Sequence, residues 1–539
     1  MRILSLGTHH LAKGLLHLGC EVIKNSDPEP NLPLLLKEIG EVDWILLTEP
    51  LGRRTFPIGL EKVKCKKAFY GIDIHLNYSW QKYFAKLFDV VFVTQNSYAK
   101  KLQREGARAY FMPWAIDPED IFDHNLPRDY DLVFVGLIDP QRRYKRAKLL
   151  EYIEQFYTVK KFGTTLKSRL SHKDMSIIYS RAKIAINEAI SHELNFRVFE
   201  TLACGTLLLT EPLDGLDLLF TDKKDLVVFQ PKNVVELIHY YLTHDDLRKS
   251  IAKSGKEKVL KYHTIYKRAE EILNIFESHR TFISNKKYFY YNLGKALYFA
   301  ARKPCIPSKT GYMRALVAFQ HLRRFNWAKI FIAVLYENLG KPHLARKIVK
   351  ELLKSKNSNP TAYALAGFFA YKDKDYKKSA EYYKKIYKGD INFKKPDFWF
   401  NIAQILKNFG EDFFTGGIRT EETAPFLWID YVAQTLRIQP NYRDACFILA
   451  DRFYRAKIYD CAAIWYIAGG AMNTHGRYWT RMIISLLRSY ARTRALSLII
   501  DKKRIPKSIK KLLKPGEILF IKLKSQNNCE SAEKTLLLY

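Results

Sequence analysis

The sequence predicts two doubly wound α/β domains in tandem, followed by an all-helical repeat region. Three observations lead to this prediction. Short β-type runs alternate with helical stretches over residues 1–282, which is the βαβ pattern of parallel sheets covered by helices. The alternation restarts with a fresh strand after residue 126. From residue 283 onward the strand pattern stops and a helical repeat begins.

The first domain is predicted over residues 1–125. Its strand candidates are RILSLG, EVI, DWILLTE, KAFYGIDI, DVVFVT and AYFMP, with helical pieces between them. A polar, proline-containing and non-periodic stretch, AIDPEDIFDHNLPRDY, follows and predicts a linker near residue 126.

The second domain is predicted over residues 126–282. Its strand candidates are YDLVFVG, TVKKFG, KIAINEA, TLLLTE and DLVVF, and a long basic helical region closes it. Ligands of such sheets bind beyond the carboxyl ends of the strands, so two facing domains would place a site in the cleft between them.

Residues 283–505 are predicted to form a helical domain like that of tetratricopeptide repeats. A small residue, a turn seven positions later and a small residue on the second helix recur in register, and the first two turns lie one period of ~34 residues apart. The small positions are Ala333, Gly367, Ala403 and Ala450, the turns Gly340, Lys374, Gly410 and Lys457, and the second-helix positions Ala345, Ser379 and Ala462. Trp399 fills the aromatic position, and 411–423 looks like an insertion. Stacked helix pairs present a concave face to a partner; residues 506–539 are predicted to be a basic tail.

Charge and cysteine content bear on the expected partners, metal sites and cellular compartment of the protein. The chain has 539 residues and a formal net charge of +34, with basic residues spread along its length. No nucleic-acid recognition motif accompanies this charge, so nucleic acid is not an expected partner. The seven cysteines form no C-x-x-C pair, which argues for a reducing compartment and against a zinc site. Without a signal peptide or an apolar run of about 18 residues, a cytoplasmic location is expected.

The segment NFRVFETLACG carries the strongest candidate chemistry. Arg197 and Glu200 are three residues apart and therefore share a helical face. A carboxylate at a cleft accepts hydrogen bonds from vicinal hydroxyls such as those of a ribose, and a guanidinium binds a diphosphate with two hydrogen bonds. The alternative interpretation is an ordinary ion pair at the start of a helix.

A second candidate is VGLIDPQRRYKRAK. Gly136 ends a strand and allows a phosphate to approach the backbone closely. Arg142 and Arg143 follow, with Lys145 and Arg146 beyond them, and Arg143 is the first choice to stabilise a leaving diphosphate. A solvated basic helix start is the alternative.

The first domain should supply a general base. His9 and His10 follow its first strand, and Asp73 and His75 lie in GIDIH. Histidine has a suitable unperturbed pKa for accepting a hydroxyl proton. For each of these side chains, the alternative interpretation is a polar residue with a purely structural role.

Several of these segments together resemble CgeB-like (spore-maturation-type) glycosyltransferases over roughly residues 1–280. The segments are FDVVFVTQNSYAKKLQREGARAYFMPWAIDP, YDLVFVG, IYSRAKIAIN, NFRVFETLACGTLLLTE and KYHTIYKRAEEIL. The resemblance implies a GT-B fold, with two Rossmann-like domains and the nucleotide-sugar donor held mainly by the second. It also implies that Asn195, Arg197 and Glu200 face the donor.

One departure from related enzymes concerns the sugar. Retaining GT-B enzymes carry two glutamates with seven residues between them. Counting back from Glu200 gives His192, and Glu193 lies one residue off. Both residues stay candidates for contact with the sugar, and the stereochemical outcome stays open.

The implied activity is a metal-independent glycosyltransferase with a nucleotide-sugar donor, expected to be UDP-linked, and no cofactor. The architecture resembles protein glycosyltransferases, including flagellin-modifying ones, so the acceptor is expected to be a protein recruited through residues 283–505. The alternatives are an inactive or nucleotide-sensing scaffold, and transfer to a lipid-linked or polysaccharide acceptor at an anionic membrane surface. Homo-oligomerisation is left open.

Overall fold

The structure is a computed structural model of the 539-residue chain. It describes residues 1–50, 52–140, 143–279, 285–354, 360–408, 427–474, 476–500, 505–514, 517–518 and 521.

The first sheet has six parallel strands in the order β2-β1-β3-β4-β5-β6. Its strands are β1 (Arg2–Gly7), β2 (Glu21–Asn25), β3 (Trp44–Thr48), β4 (Lys66–Gly71), β5 (Val90–Val93) and β6 (Ala109–Phe111). The helices that connect them are α1 (Ala12–His17), α2 (Leu32–Ile39), α3 (Ile74–Phe84) and α4 (Asn96–Arg104). Every residue of β3 and β5 is buried, as expected for a parallel sheet covered on both faces.

The second sheet has five parallel strands in the order β11-β10-β9-β7-β8. Its strands are β7 (Tyr130–Val135), β8 (Val159–Phe162), β9 (Ala182–Asn187), β10 (Leu207–Thr210) and β11 (Val227–Val228). The helices of this part are α5 (Tyr144–Glu154), α6 (His172–Ser180), α7 (Phe196–Ala203), α8 (Val234–Thr243), α9 (Asp245–Tyr262) and α10 (Ile265–Glu277).

Both sheets reverse their strand order once, next to their first strand. In the first sheet β1 lies between β2 and β3, and in the second β7 lies between β8 and β9. The connections therefore leave the two sides of β1, or of β7, in opposite directions and open a crevice at the carboxyl ends of the strands. The predicted fold class, two Rossmann-like domains followed by a helical region, is confirmed.

The described part of the chain beyond residue 285 contains only helices. They are α11 (Lys286–Arg302), α12 (Ser308–Gln320), α13 (Asn326–Asn338), α14 (Pro342–Leu353), α15 (Pro360–Lys372), α16 (Tyr376–Lys384), α17 (Pro396–Lys407), α18 (Trp428–Ile438), α19 (Arg443–Arg455), α20 (Tyr459–Ala468), α21 (Arg477–Arg488), α22 (Arg492–Ile499) and α23 (Lys507–Lys510).

The turns predicted from the repeat pattern coincide with left-handed backbone. Gly340, Lys374 and Lys457 have φ angles of 72°, 63° and 60° and separate α13 from α14, α15 from α16 and α19 from α20. A residue in this conformation commonly ends a helix. Gly410 and the segment 411–423 lie outside the described residues.

The small positions of the repeat lie where helices approach closely. A Cβ atom on Gly367 would come within 2.7 Å of the Tyr383 ring, and the Ser379 hydroxyl donates to the Gly367 carbonyl over 2.7 Å. The others are buried, namely Ala333, Ala345, Ala403, Ala450 and Ala462, as is Trp399. The helix–turn–helix geometry is thus observed, and membership of the tetratricopeptide family stays an interpretation.

The chain divides into two compact units, each containing one sheet. The first unit comprises residues 1–112 and 269–445, and the second comprises residues 113–268 and 446–539. The helical region is thereby shared between the two units. The predicted boundaries at residues 126, 283 and 506 remain predictions, because packing units need not be segments that fold on their own.

In the first unit, helices from distant parts of the chain cover both faces of the sheet. The Phe276 ring of α10 stacks on Trp44 with ring centroids 3.9 Å apart. The Phe299 ring of α11 stacks on Tyr83 of α3 at 5.7 Å. These contacts join the first domain and the early helices in shared cores.

In the second unit, residues 113–129 lie against the second domain and do not behave as a loose linker. The Arg128 guanidinium donates to the carbonyls of Ala182 and Cys204 over 2.6 and 2.9 Å. It also donates to the Thr206 hydroxyl at 2.9 Å. Several acceptors thus fix one side chain in the polar stretch that the sequence suggested to be a linker. Among the described helices, none combines the length and the apolar character needed to cross a bilayer.

We expect Lys374→Gly to stabilise the first unit. A left-handed φ costs a non-glycine residue roughly 1 kcal/mol, so glycine should raise the free energy of unfolding by about 0.5 kcal/mol. Urea unfolding followed by circular dichroism measures this change. Glu381→Gly, at an exposed interior position of α16, is the matched control and should destabilise by about 1 kcal/mol. A loss of stability in Lys374→Gly would contradict the turn assignment.

Candidate functional site

Arg197 links the carboxyl ends of the two strands at the crevice of the second sheet. Its Nε donates to the Val135 carbonyl at the end of β7 over 2.8 Å. Its Nη1 donates to Oδ1 of Asn187 at the end of β9 over 2.7 Å. The side chain comes from the first turn of α7, as the sequence predicted. One guanidinium therefore sits where a doubly wound sheet binds its ligand.

Gly136 is required by the position of this guanidinium. Its φ angle is 142°, in the region that favours glycine. A Cβ atom placed on Gly136 would come within 2.5 Å of Nη2 of Arg197. The missing side chain thus leaves room for the arginine and keeps the backbone after β7 open to a ligand.

Glu200 is buried beneath this arginine, with only 6% of its surface exposed. Among the described residues its carboxylate has no hydrogen bond and no ion pair, so the interpretation as an Arg197–Glu200 ion pair is not met. Burial raises the pKa of Glu200 to about 7, and the nearby charge of Arg197 opposes the rise. A buried carboxylate without a donor is costly unless a ligand supplies one.

Asn195 precedes α7 and leaves an acceptor unused. Its Nδ2 donates to Oδ1 of Asn187 over 3.0 Å, while its own Oδ1 is buried and without a partner. Its side chain does not cap the helix. No side chain therefore caps the positive end of the α7 dipole, where an anion is stabilised, although the Val198 amide already donates to the Asn195 carbonyl over 3.4 Å.

The basic run after Gly136 divides into structural and unpaired cations. Lys145 donates to Glu211 over 2.8 Å and lies 3.2 Å from Glu188, and Arg146 donates to Glu188 over 2.7 Å. All four of these side chains are buried. Two members of the run thus hold the core of the domain together and do not form a solvated helix start.

Arg143 differs from these two neighbours. Within the described residues its half-buried guanidinium has neither a hydrogen bond nor an ion pair. Burial lowers its pKa first, the charge of Arg146 lowers it further, and Glu188, Glu193 and Asp460 act against this. Arg143 is therefore a cation that the described residues leave without an anionic partner. Arg142 lies outside the described residues.

His192 and Glu193 occupy the loop after β9. The Glu193 carboxylate accepts from the amides of Ile190 and Ser191 over 3.1 and 2.8 Å, so it stabilises its own loop. His192 has a φ angle of 60° and donates from Nδ1 to the Pro212 carbonyl over 2.8 Å. Burial lowers the pKa of His192, which leaves Nε2 as the acceptor of a neutral ring.

A buried carboxylate in the first domain escaped the sequence reasoning. Glu49 follows β3, and its Oε2 accepts from the amides of Ile72 and Asp73 over 2.9 and 3.1 Å. Arg54 lies between Glu49 and Asp73, at 3.0 and 2.9 Å from their oxygens. The signal was present in the sequence: an acid directly after the buried strand WILLT, whose first four residues are apolar.

The predicted bases of the first domain have different surroundings. His9 follows β1 and forms hydrogen bonds of 2.9 Å through both ring nitrogens, to the hydroxyls of Ser5 and Ser26. Burial, assisted by the charge of Lys24, lowers its pKa, which favours a neutral ring.

The other three candidates are spread over β4 and its surroundings. The His10 ring lies 5.6 Å from that of Tyr70. Asp73 is held by Arg54. Both ring nitrogens of His75 are buried without a hydrogen-bond partner among the described residues. The structure thus places all four beyond the carboxyl ends of β1 and β4, and His9 and Asp73 bind different partners there.

Comparison with known proteins points to one class. A family model described as "Glycosyl transferase-like" matches residues 129–274, which cover the second domain. No curated protein matches the chain.

Among solved structures, the chain is similar to sucrose-phosphate synthase from Thermosynechococcus elongatus, with 12% identity, a TM-score of 0.40 and coverage of 52% of this chain and 99% of that chain. It is also similar to HepE from Anabaena in complex with UDP-glucose, with 11% identity, a TM-score of 0.36 and coverage of 52% and 100%. A third is the pneumococcal O-GlcNAc transferase GtfA in complex with UDP and GlcNAc, with 12% identity, a TM-score of 0.33 and coverage of 46% and 59%.

We expect Glu200→Gln to stabilise the protein above neutral pH. The folded-state pKa, about 7, is higher than the ordinary value of 4.5, so the folded state holds a proton that the unfolded state has already released. The parent therefore loses stability as pH rises from 4.5 through 7, and the variant does not. The difference in the free energy of unfolding between variant and parent should reach about 3 kcal/mol above pH 7 and then stay constant.

Urea unfolding at a series of pH values measures this difference. Glu257→Gln, an exposed carboxylate on α9, is the control and should not change the profile. A Glu200→Gln profile parallel to that of the parent at every pH would show that the carboxylate is not desolvated.

Proposed function

We propose that the chain is a glycosyltransferase that moves a sugar from a nucleotide-sugar, UDP-linked by preference, to an acceptor. The observation that carries the proposal is the pairing of a strand-bridging Arg197 with a buried, partnerless Glu200 at the crevice of the second sheet. The family match over residues 129–274 supports the same class of activity.

In this proposal the donor lies along the amino end of α7. Glu200 accepts hydrogen bonds from the two ribose hydroxyls. The diphosphate lies between the backbone at Gly136, the uncapped amino end of α7 and the guanidinium of Arg143. Nη2 of Arg197 faces the same place, because a Cβ atom on Gly136 would meet it. The ribose of a nucleoside diphosphate thus meets the Glu200 carboxylate, and its diphosphate meets the guanidinium groups of Arg143 and Arg197.

The reaction breaks the bond between the anomeric carbon and the diphosphate and forms one to an acceptor oxygen. Arg143 and Arg197 stabilise the charge that develops on the leaving diphosphate, a role that fixed cations perform without reorganisation. We therefore propose transfer without a metal. The acceptor proton goes to a base of the first domain, and the neutral His9 at the end of β1 is our first choice.

We further propose that the acceptor is a protein bound through the helical region, in the cytoplasm. Recurrent helix–turn–helix units support this, since such units present extended binding surfaces. The scaffold alternative is disfavoured by Glu200, because a site that only packs the core gains nothing from a buried unpaired carboxylate.

Calorimetry of the full chain with UDP, GDP, CDP and ADP, each in EDTA, tests the donor assignment. We expect one nucleotide to bind clearly, and Arg143→Ala to weaken that binding about tenfold because a charge-assisted contact to phosphate is lost. The fold should survive, since the guanidinium has no protein partner among the described residues. Lys160→Ala, which removes an exposed cation on β8, is the control.

Failure of all four nucleotides to bind would overturn the proposal. If Arg143→Ala leaves the nucleotide affinity unchanged, the diphosphate does not contact Arg143.

Nucleotide affinity should also depend on the protonation of Glu200. The carboxylate form, which accepts from both ribose hydroxyls, accumulates as pH rises through about 7. UDP should therefore bind the parent more tightly at pH 8 than at pH 6, beyond any change seen in Glu200→Gln. Comparison with this variant removes the titration of the phosphate itself. If UDP affinity depends on pH equally in the parent and in Glu200→Gln, Glu200 does not bind the ribose.

A further inference from the structure

Part of the helical region belongs to the same compact unit as the donor site. Residues 446–539 pack with residues 113–268. The Tyr490 hydroxyl donates to Oε1 of Glu211 over 3.1 Å, and the other oxygen of that carboxylate accepts from Lys145. Tyr490 also lies in the apolar core of the second domain. The late helices are therefore built into the domain that holds the candidate donor site.

Helix α20 begins beside the loop that follows β9. The ring of Tyr459, its first residue, meets the His192 ring edge-on with centroids 6.0 Å apart. The same helix packs against α5, whose start carries Arg143. The first turn of α20 thus faces the two sequence segments that border the proposed diphosphate position.

Asp460 is the acid on this first turn. One of its carboxylate oxygens accepts from the Cys461 amide over 2.8 Å. Burial and the Asp460 carboxylate, to which the Cys461 thiol forms a hydrogen bond, raise the pKa of that thiol. Asp460 has no ion pair within the described part of the chain. Burial raises the pKa of Asp460, the charge of Lys145 lowers it, and Glu188 raises it. Arg143 feels the Asp460 charge without forming an ion pair with it, so both groups keep capacity for a ligand.

The other carboxylates of this neighbourhood are already used. Glu188 binds Lys145 and Arg146, Glu193 binds its own loop amides, and Glu211 binds Lys145 and Tyr490. The hydroxyl of Ser191 is buried without a partner beside them. A sugar in this place therefore meets the Asp460 carboxylate, which has no cationic partner among the described residues, and the Ser191 hydroxyl.

We propose that the helical region completes the donor site, with Asp460 accepting hydrogen bonds from hydroxyls of the transferred sugar and thereby selecting it. The inference rests on the proposed function. With the ribose at Glu200 and the diphosphate at Arg143, the sugar extends to the far side of Arg143. Asp460 is near enough to Arg143 for its charge to act on that guanidinium, and Ser191 and His192 belong to the loop that the first residue of α20 meets. The transferase and helical regions then form one donor site and are not independent modules.

Calorimetry with UDP, UDP-glucose, UDP-galactose and UDP-N-acetylglucosamine on the full chain tests this inference. Asp460→Asn should leave the Kd of UDP within about twofold and raise the Kd of the preferred UDP-sugar roughly tenfold or more, because only the sugar meets the carboxylate. Asp246→Asn is the matched control, since Asp246 is exposed in the first turn of α9 in the same unit.

Equal changes for UDP and UDP-sugar, or no change for either, would overturn the role of Asp460 while leaving the proposed function intact. A parent that binds neither UDP nor any of these UDP-sugars, nor the GDP-, CDP- and ADP-linked ones, would overturn the proposed function and this inference with it. If Asp460→Asn does not fold, Asp460→Glu keeps the charge and moves it by one methylene. That variant should alter the Kd of the UDP-sugar severalfold with the Kd of UDP unchanged, and unaltered values for both would also overturn the proposal.

Discussion

The second domain depends on a buried ionic network around Glu188, the residue that follows β9. Its carboxylate binds Lys145 and Arg146, while its carbonyl accepts from Arg146 and lies 3.4 Å from Nη1 of Arg197. Taking several charges out of water is expensive, and removing one partner would leave the others uncompensated. Loss of any one member would therefore destabilise the edge of the crevice, where the Glu188 carbonyl also faces Arg197.

This constraint explains why neighbouring charges have unequal roles. Lys145 and Arg146 are fully committed to carboxylates and cannot turn toward a ligand without exposing a buried acid. Arg143 and Glu200 are two charged side chains near the network that have neither a hydrogen bond nor an ion pair among the described residues. In a folded core, unpaired groups of this kind cost stability, and such costs concentrate at functional sites. Whether a charged side chain here has a structural role is thus indicated by its ion-pair partners and not by its residue type.

The sequence could predict what local rules determine. Alternating strands and helices required parallel sheets, the spacing of Arg197 and Glu200 placed them on one helix, and the repeat pattern located left-handed turns even where lysine occupies them, as at Lys374. It could not separate Arg143 from Lys145 and Arg146, because their acidic partners, Glu188 and Glu211, lie more than 40 residues away in the chain. Glu49 was missed for the same reason: its donors sit on a different strand end and on α3.

Local sequence rules also could not predict that the helices are divided between two compact units. This division bears on the role of the helical region. A repeat that served only to recruit an acceptor would need no polar contact with the donor-binding domain. Tyr490 instead completes the coordination of Glu211 from a left-handed position at φ 60°, a conformation that a bulky residue adopts only when its surroundings hold it there. The end of α21 is therefore fitted to the buried network, and any partner that displaced these helices would disturb Lys145, Glu188 and the crevice together. Under the proposed function, a partner that shifts α21 and α22 would therefore also act on the candidate donor site through Tyr490 and Glu211.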